Sequence, residues 1–261
     1  MTAPDVTLIT PTRDRPEAFA LCCRWMARQT FRGPAQWIIV DDGDVPEDLN
    51  AEAVLHHMNE VRARWEVEHV RRAPSDKPGT LGENLIEALG HVRAPRVVVI
   101  EDDDHYSPVY VEEMLWRLRT AKAVGEIRAR YYNVRDRRWH VMDNTKHASL
   151  CRTGFSADLV QRMRESAVIA IREGDPFVDL RFWGMRPTYP IPAELMLGLF
   201  QGRGISIGVK GMPGRGGLGK THKPGVMPNR DPKWEKLVEW IGSDAREYMG
   251  LAERLGWKAA P

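Results

Sequence analysis

The sequence has few cysteines and no long hydrophobic run. It holds only three cysteines, of which Cys22 and Cys23 are adjacent, so neither a disulfide framework nor a four-cysteine zinc site is expected. No stretch approaches the roughly 18–20 consecutive apolar residues that span a bilayer. The first residues lack a basic segment followed by a long apolar core, which argues against a secretory signal. We therefore expect a cytoplasmic protein without integral membrane association.

A strong net charge is also absent. The 261 residues carry a formal charge of +2, and the apolar content is that of an ordinary globular protein, so composition alone predicts no partner. Basic residues nevertheless outnumber acidic ones between Arg119 and His140, and again between Arg203 and Lys236. A basic face in the second half of the chain and a set of solvated loops are both compatible with this distribution.

Strand and helix patterns alternate over the first 120 residues. Asp14 is expected to cap the first helix, with Pro16 in its first turn and an end near Gly33-Pro34. Alternation of this kind predicts an α/β fold with a parallel sheet and helices on both faces, where ligands bind beyond the carboxyl ends of the strands. Short β-branched runs predict these strands at 6–10, 36–40, 66–71 and 96–100.

After about residue 125 the pattern changes. Residues 129–134 and 138–143 are predicted to form paired short strands, and 205–210 a further strand. The chain is expected to close with a long helix that begins near Pro232. The second half therefore predicts a smaller, mixed arrangement.

A glycine-rich segment, GRGGLGKT at 214–221, matches the pattern of a phosphate-binding P-loop. A P-loop requires a helix that begins at its Gly-Lys-Thr, because the helix N-terminus supplies amides to the phosphates. Here Pro224 and Gly225 break any helix within one turn. We interpret the match as coincidental. The segment is then either an ordinary basic loop or a lid over a diphosphate, whose charge would be neutralised by Arg215, Lys220, His222 and Lys223.

Four carboxyl groups, Glu101 to Asp104, follow the predicted strand at 96–100. Packing so many acids together is repulsive unless a positive charge lies among them. A divalent cation that prefers oxygen ligands, Mn²⁺ or Mg²⁺, is the natural counter-charge, and it would in turn bind phosphates. The alternative is a solvated acidic turn.

Three segments in order resemble the family 2 glycosyltransferases of GT-A fold. They are VTLITPTRDRPEAFALCCRWMARQTF at 6–31, QWIIVDDGD at 36–44, and VVVIEDDDHYSPVYVEEM at 97–114, the last similar to the D-x-D metal-binding strand. The resemblance implies a Rossmann-like, mostly parallel sheet with flanking helices and a smaller mixed acceptor-binding part. Residues 1–105 would form the nucleotide-sugar-binding half of a single compact domain. Residues 106–261 would form the acceptor-binding half, with a lid loop and a C-terminal helix.

The resemblance also implies roles for residues of the donor site. Pro11, Thr12 and Arg13 would line the nucleotide pocket, and Asp42 would accept a hydrogen bond from the uracil N–H. Lys77 would contact the nucleotide from the third loop. The lid cations Arg215, Lys220 and Lys223 would approach the diphosphate.

For the metal, the resemblance points to Asp103 as the ligand of Mn²⁺ or Mg²⁺. Asp102 would face the ribose or the metal's waters. Glu101 stands where the family often has the first Asp of D-x-D, so either Glu101 or Asp102 makes the outer contact. A late histidine can complete the metal shell in such enzymes, and His222 is the candidate here.

The activity implied by the resemblance is a hexosyl or pentosyl transfer that inverts the anomeric carbon. An acceptor hydroxyl must lose a proton, and a carboxylate near the start of a helix in the second half would accept it. GDPFVDLRFW offers Asp175 and Asp179. We assign the catalytic base to Asp179 and a capping role before Pro176 to Asp175, although the reverse assignment stays open.

The acceptor is less defined by the sequence. A saccharide or small molecule is one interpretation. A hydroxylated base in DNA is another, because ARYYNVRDRRWH at 129–140 interleaves basic and aromatic residues. Two alternatives to a glycosyltransferase also remain: a nucleotidyltransferase of similar α/β fold, and a non-catalytic nucleotide- or nucleic-acid-binding module.

Overall fold

The first half of the chain alternates strand and helix, as predicted. The computed structural model describes residues 3–77, 79–186, 197–202, 204–214, 223 and 225–258. The elements of the first half are β1 (Val6–Thr12), α1 (Pro16–Ala27), β2 (Ala35–Asp41), α2 (Glu52–Arg62), β3 (Glu66–Arg71), α3 (Leu81–Gly90) and β4 (Arg96–Val99).

Shorter elements make up the second half. They are β5 (His105–Tyr106), α4 (Tyr110–Arg117), β6 (Ala123–Glu126), β7 (Arg130–Asn133), β8 (Arg138–Val141), β9 (Thr153–Ser156), α5 (Val160–Glu173), α6 (Val178–Phe182), β10 (Leu197–Phe200), β11 (Ser206–Lys210), β12 (Asn229–Arg230), α7 (Glu235–Ile241) and α8 (Ala245–Arg254). Within the described residues, no helix combines the length and the apolar character needed to cross a bilayer.

A large sheet of seven strands forms the centre of the molecule, in the order β10-β6-β9-β4-β1-β2-β3. Strands β4, β1, β2 and β3 are parallel to one another, and β10 is parallel to β6. Strand β9 is antiparallel to both of its neighbours, β4 and β6. The mostly parallel α/β sheet predicted from the sequence is therefore confirmed.

Apolar layers cover both faces of this sheet. Successive side chains of a strand point to opposite faces, so Leu8 of β1 packs in the layer that contains α1, α2 and α4, and Ile9 packs in the layer that contains α3 and α5. Strands buried on both faces need continuous apolar runs, which explains why β1 and β2 were readable in the sequence.

A second, smaller sheet has five strands in the order β12-β8-β7-β11-β5. It is mixed, because β11 is parallel to β7 but antiparallel to β5. The predicted strand pair in 129–143 is present as β7 and β8. Strand β5 directly follows the acidic residues at the end of β4, so its pairing with β11 brings the second half of the chain to that end of the large sheet.

The predictions for the cap of α1 and for the closing helix are wrong. Asp14 does not cap α1: it has a φ of +50° and its Oδ1 accepts a hydrogen bond of 2.8 Å from the backbone N–H of Asp44, while Arg15 occupies the N-cap position. The closing helix is not continuous either. It is interrupted after Ile241, where Gly242 has a φ of +59° and a ψ of −133°.

Candidate active site

The candidate site lies where the carboxyl ends of β4, β1 and β2 are adjacent in the large sheet. The end of β1 carries Thr12 and Arg13, the end of β2 is followed by Asp42, and β4 leads to Glu101–Asp104. Segments separated by up to 90 residues are thus brought to one edge, as expected of a parallel α/β sheet. Pro11 is buried within β1, next to Val40 of β2.

Two cationic side chains are inserted among the acids. Arg15 Nη1 lies 2.9 Å from Asp102 Oδ1 and 3.4 Å from Asp103 Oδ2. Lys210 Nζ, at the end of β11, lies 2.9 Å from Asp104 Oδ1 and 3.4 Å from Asp103 Oδ2. We expected a metal ion to supply the positive charge among these acids. Arg15 and Lys210 supply part of it.

Three of the four acids are buried and Glu101 is half-buried, so the alternative of a solvated acidic turn is wrong. Asp102, Asp103 and Asp104 are 3%, 6% and 1% exposed. Burial raises the pKa of Asp102 to about 6, although the charge of Arg15 opposes this. Burial also raises the pKa of Glu101 to about 8, and the negative charges of Asp104, Asp103 and Asp179 contribute. A positive charge placed among these acids would lower their pKa values and favour their ionised forms.

The carboxylate oxygens differ in whether they already have a hydrogen-bond or ion-pair partner, and this indicates which of them could bind a metal ion. Both oxygens of Asp102 are engaged, Oδ1 by Arg15 and Oδ2 by a 2.8 Å hydrogen bond from Thr12 Oγ1. Asp104 Oδ2 is buried and has no hydrogen-bond partner within the described part of the chain. Glu101, Asp104 and Cys151 have ligand atoms within 4.8 Å of one another. The carboxylate oxygens among these donors suit Mg²⁺ or Mn²⁺.

Asp42 is buried beside α3, and its two oxygens have different surroundings. Oδ1 accepts a 2.7 Å hydrogen bond from Asn84 Nδ2. Oδ2 lies 3.6 Å from Arg13 Nη1 and 3.9 Å from Arg72 Nη1, and no described residue hydrogen-bonds to it. One buried carboxylate oxygen therefore still has capacity to accept a hydrogen bond.

Arg13 fixes the loop before α3. Its guanidinium donates to the backbone carbonyls of Ser75 and Lys77 and to the hydroxyl of Thr80. The side chain of Lys77 is exposed and pairs with Glu83. The expected nucleotide-pocket residues Thr12, Arg13 and Asp42 are thus brought together, whereas Lys77 lies at the margin.

Asp179 and Asp175 have different environments at the start of α6. Asp175 accepts a 3.0 Å hydrogen bond from the backbone N–H of Phe177 and pairs with Arg181 and Arg186, each at 2.8 Å. Burial opposes these contacts, but they lower the pKa of Asp175. Burial raises the pKa of Asp179 to about 6. Because the charge of Asp179 also raises the pKa of Glu101, these two acids lie within electrostatic reach of each other.

The glycine-rich segment begins next to the site. Gly214 has a φ of +86°, and a β-carbon there would collide with the backbone carbonyl of Asp14. Lys223 is exposed. The other three expected lid and metal residues, Arg215, Lys220 and His222, lie outside the described residues. Residues 225–228 are not helical and the next helix is α7, which agrees with rejecting the P-loop interpretation.

Three residues of the site were missed by the sequence analysis. Arg15 lies in the same TPTRDR segment as Arg13, so its position after β1 was a usable signal. Lys210 ends a predicted strand, but nothing in the sequence connects it with acids 107 residues away. Asn84 lies within a helix whose pattern indicates only amphipathic packing.

Comparisons with known proteins define the fold. No family model and no curated protein matches the sequence. The chain is similar in structure to S. aureus TarS, with a TM-score of 0.51 and 12% identity over 76% of this chain and 35% of that one. It is also similar to S. aureus TarS 1-349 in complex with UDP, with a TM-score of 0.50 and 12% identity over 75% of this chain and 60% of that one. The match thus spans between about a third and three fifths of those chains. The expected GT-A fold is confirmed.

Proposed function

We propose that this chain is a metal-dependent inverting glycosyltransferase that moves a sugar from a UDP-sugar to an acceptor hydroxyl. The observation that carries the proposal is the meeting of two parts of the chain at one set of carboxylates. Glu101–Asp104 follow β4 of a GT-A fold, Lys210 of β11 lies 2.9 Å from Asp104 Oδ1, and the negative charge of Asp179 from α6 helps to raise the pKa of Glu101. The crystal structure of the structurally similar TarS 1-349 is in complex with UDP, which supports a uridine nucleotide as part of the donor.

The nucleotide would bind across the ends of β1 and β2. Oδ2 of Asp42 has a free acceptor position that matches the N–H of a uracil ring. Pro11 and Thr12 would line the same pocket, and Lys77 would contact the nucleotide from the loop before α3. Arg215, Lys220 and Lys223 of the lid are suited to the diphosphate.

A divalent cation, Mn²⁺ or Mg²⁺, would be held by Asp103, with His222 as a further ligand. Glu101 is favoured for the outer contact, because both oxygens of Asp102 are already engaged by Thr12 and Arg15. When bound, the ion stabilises the negative charge that develops on the departing diphosphate.

Asp179 would act as general base. The acceptor oxygen forms a bond to the anomeric carbon, the bond from that carbon to the diphosphate breaks, and the hydroxyl proton passes to Asp179. A pKa of about 6 leaves Asp179 ionised near neutral pH while keeping it more basic than an ordinary aspartate. The lowered pKa of Asp175 and its pairs with Arg181 and Arg186 suit a role in positioning α6 instead.

A saccharide or small molecule is favoured as acceptor over a hydroxylated base in DNA. Several cations of the basic and aromatic segment at 129–140 are used in packing the second half. Arg137 donates to the carbonyls of Pro232 and Trp257, and Arg138 donates to the carbonyl of Met227. Cations engaged in this way contribute less to phosphate contacts. DNA with hydroxylated bases is the second acceptor to test.

A binding screen followed by a product assay tests the proposal. Thermal shifts would be measured with UDP, GDP, ATP and UDP-sugars, each with and without Mn²⁺, on the wild type and Asp103→Asn. Asp158→Asn is the matched control, since Asp158 pairs with Lys122 at the surface. Stabilisation of the wild type by UDP with Mn²⁺, lost in Asp103→Asn alone, is expected.

Other outcomes would contradict the proposal. Stabilisation by ATP alone would overturn it. Release of pyrophosphate from a nucleoside triphosphate would favour a nucleotidyltransferase. Nucleotide binding without turnover of any UDP-sugar, with saccharides, small hydroxyl compounds and hydroxylated DNA all offered, would favour a binding module.

A further inference from the structure

We infer that Lys210 is a resident cation of the acid cluster and keeps the affinity for a divalent metal ion low while no nucleotide is bound. The inference rests on the proposed metal ion at Asp103. It concerns a residue of β11 that lies far along the chain from β4. It also predicts that metal and nucleotide raise each other's affinity instead of binding independently.

The position of Lys210 is fixed by the backbone. Strand β11 pairs with β5 through Ile207 and His105, directly after the acids. The backbone N–H of Val209 donates a 2.8 Å hydrogen bond to Asp104 Oδ1, the same oxygen that lies 2.9 Å from Lys210 Nζ. Lys210 is only 4% exposed. Its ammonium group is therefore held in the cluster by the sheet and does not sample solvent as a surface lysine does.

The positive charge of Lys210 determines how this residue affects a metal ion at Asp103. The ammonium group of Lys210 lies 2.9 Å from Asp104 Oδ1, and a lysine paired with a carboxylate in this way is held in its positively charged form. It lies 3.4 Å from Asp103 Oδ2, the proposed metal ligand. An ion on that oxygen would have Lys210 as an immediate neighbour, and like charges repel strongly in a site shielded from water.

A bound diphosphate would offset the repulsion between Lys210 and the metal ion. It brings negative charge and further oxygen ligands to the same place, so the repulsion between Lys210 and the ion is offset only once the nucleotide is present. By linkage, a nucleotide that raises the affinity for the metal has its own affinity raised by the same factor. Arg15 Nη1 also lies 3.4 Å from Asp103 Oδ2 and would act in the same direction.

Binding of Mn²⁺ to nucleotide-free protein tests the inference. Free Mn²⁺ would be followed by electron paramagnetic resonance with wild type, Lys210→Met, Lys210→Arg and Lys122→Met. The last is the matched control, a surface lysine paired with Asp158. Lys210→Met should bind Mn²⁺ about tenfold more tightly than wild type or more, while Lys210→Arg and Lys122→Met stay within about twofold. Equal affinities in wild type and Lys210→Met would overturn the inference.

A folding control keeps the test decisive. Removing Lys210 leaves buried carboxylates unpaired, so Lys210→Met is expected to be less stable without metal. If it is partly unfolded at the temperature of the titration, its thermal midpoint should still rise with Mn²⁺ far more than that of wild type, and an equal rise would overturn the inference.

A UDP titration separates this inference from the proposed function. UDP should raise the Mn²⁺ affinity of wild type. If UDP has no effect but Lys210→Met still binds Mn²⁺ more tightly, the role of Lys210 stands and the nucleotide-sugar proposal fails. If UDP binds with Mn²⁺ but Lys210→Met behaves as wild type, the nucleotide proposal stands and the role of Lys210 fails.

Discussion

Asn84 holds Asp42 in one orientation. Its Nδ2 donates a 2.7 Å hydrogen bond to Oδ1 of Asp42, and Arg72 Nη1 in turn donates a 2.5 Å hydrogen bond to Asn84 Oδ1. Both Asn84 and Asp42 are buried. The chain Arg72–Asn84–Asp42 leaves Oδ2 of Asp42 as the oxygen available to a ligand, so a residue of α3 determines how the end of β2 is presented.

Replacing Asn84 should therefore weaken nucleotide binding without abolishing it. Asn84→Ala removes the bond that orients Asp42, and a hydrogen bond to a charged group is worth enough to change affinity by roughly tenfold. Calorimetric titration with UDP and Mn²⁺ would measure this. Asn59→Ala, an exposed position in α2, is the control and should bind UDP as wild type does. Equal affinity for Asn84→Ala and Asn59→Ala would contradict the orienting role.

Loss of the Asp179 carboxylate should stop transfer while the donor still binds. Asp179→Asn keeps the size of the side chain but cannot accept a proton, so kcat is expected to fall by at least about a hundredfold. UDP affinity should stay within about twofold of wild type, because the base acts on the acceptor. Asp158→Asn is the control. Turnover of Asp179→Asn near the wild-type rate would remove Asp179 from the mechanism.

The pH dependence of transfer should report the same group. Burial raises the pKa of Asp179 to about 6, and the base works only when ionised. Activity should therefore fall as the pH decreases through about 6, with the ionised form predominant above that value. A profile of kcat/KM against pH measures this limb. A plateau extending down to the ordinary range of aspartate would show that the base is another group.

Stability should also vary with pH because of Glu101. Its pKa is raised from 4.5 to about 8 by burial first and then by neighbouring negative charges. A carboxyl with a raised pKa holds its proton more tightly in the folded state, so its contribution to stability decreases as the pH rises from about 5 to about 8. Glu101→Gln cannot ionise and should gain thermal stability relative to wild type over that interval.

Metal-free thermal unfolding at several pH values would measure this difference. Glu253→Gln, on the exposed side of α8, is the matched control and should follow the wild type. A difference between Glu101→Gln and wild type that shrinks as the pH rises would contradict the assignment.

Gly125 of β6 should not tolerate a side chain. A β-carbon there would overlap that of Ala148 and come within 2.8 Å of the Trp183 ring. Gly125→Ala is expected to lower the free energy of unfolding by about 1–3 kcal/mol, because the neighbours are rigid. Gly154→Ala should cost less, since its nearest neighbour is the flexible end of Met114 at 3.0 Å. Chemical denaturation would compare the two variants.

Strands β1, β2 and β4 were predictable because their residues are almost entirely buried, and the partly buried β3 was predictable from its β-branched residues. The run at 66–71 is β3 as predicted, and those at 6–10 and 36–40 extend to β1 and β2 with small changes at the ends. The end of α1 was not predictable. The helix stops at Ala27 rather than near Gly33, because Gln29 turns inward, donates to the carbonyl of Ser107 and accepts from the N–H of Val111.

In the site, too, residues next to a predicted strand were found, and residues brought together only by folding were not. Asp42 and the acids after β4 were found because they adjoin strands in the chain, where parallel sheets collect ligands. Lys210 was not found, because it reaches the acids only through the pairing of β11 with β5. Asp14 was misread because its carboxylate bonds to a neighbouring loop at Asp44, a contact between loops that has no local signature.

The placement of β9 affects how this protein can be engineered. Strand β9 belongs to the later part of the chain but lies between β4 and β6, so it covers the edge of the sheet formed by the earlier part. A fragment cut after residue 105 would leave β4 with unpaired backbone groups and a tendency to aggregate. A chimera that exchanges residues 106–261 must therefore carry a strand able to replace Thr153–Ser156.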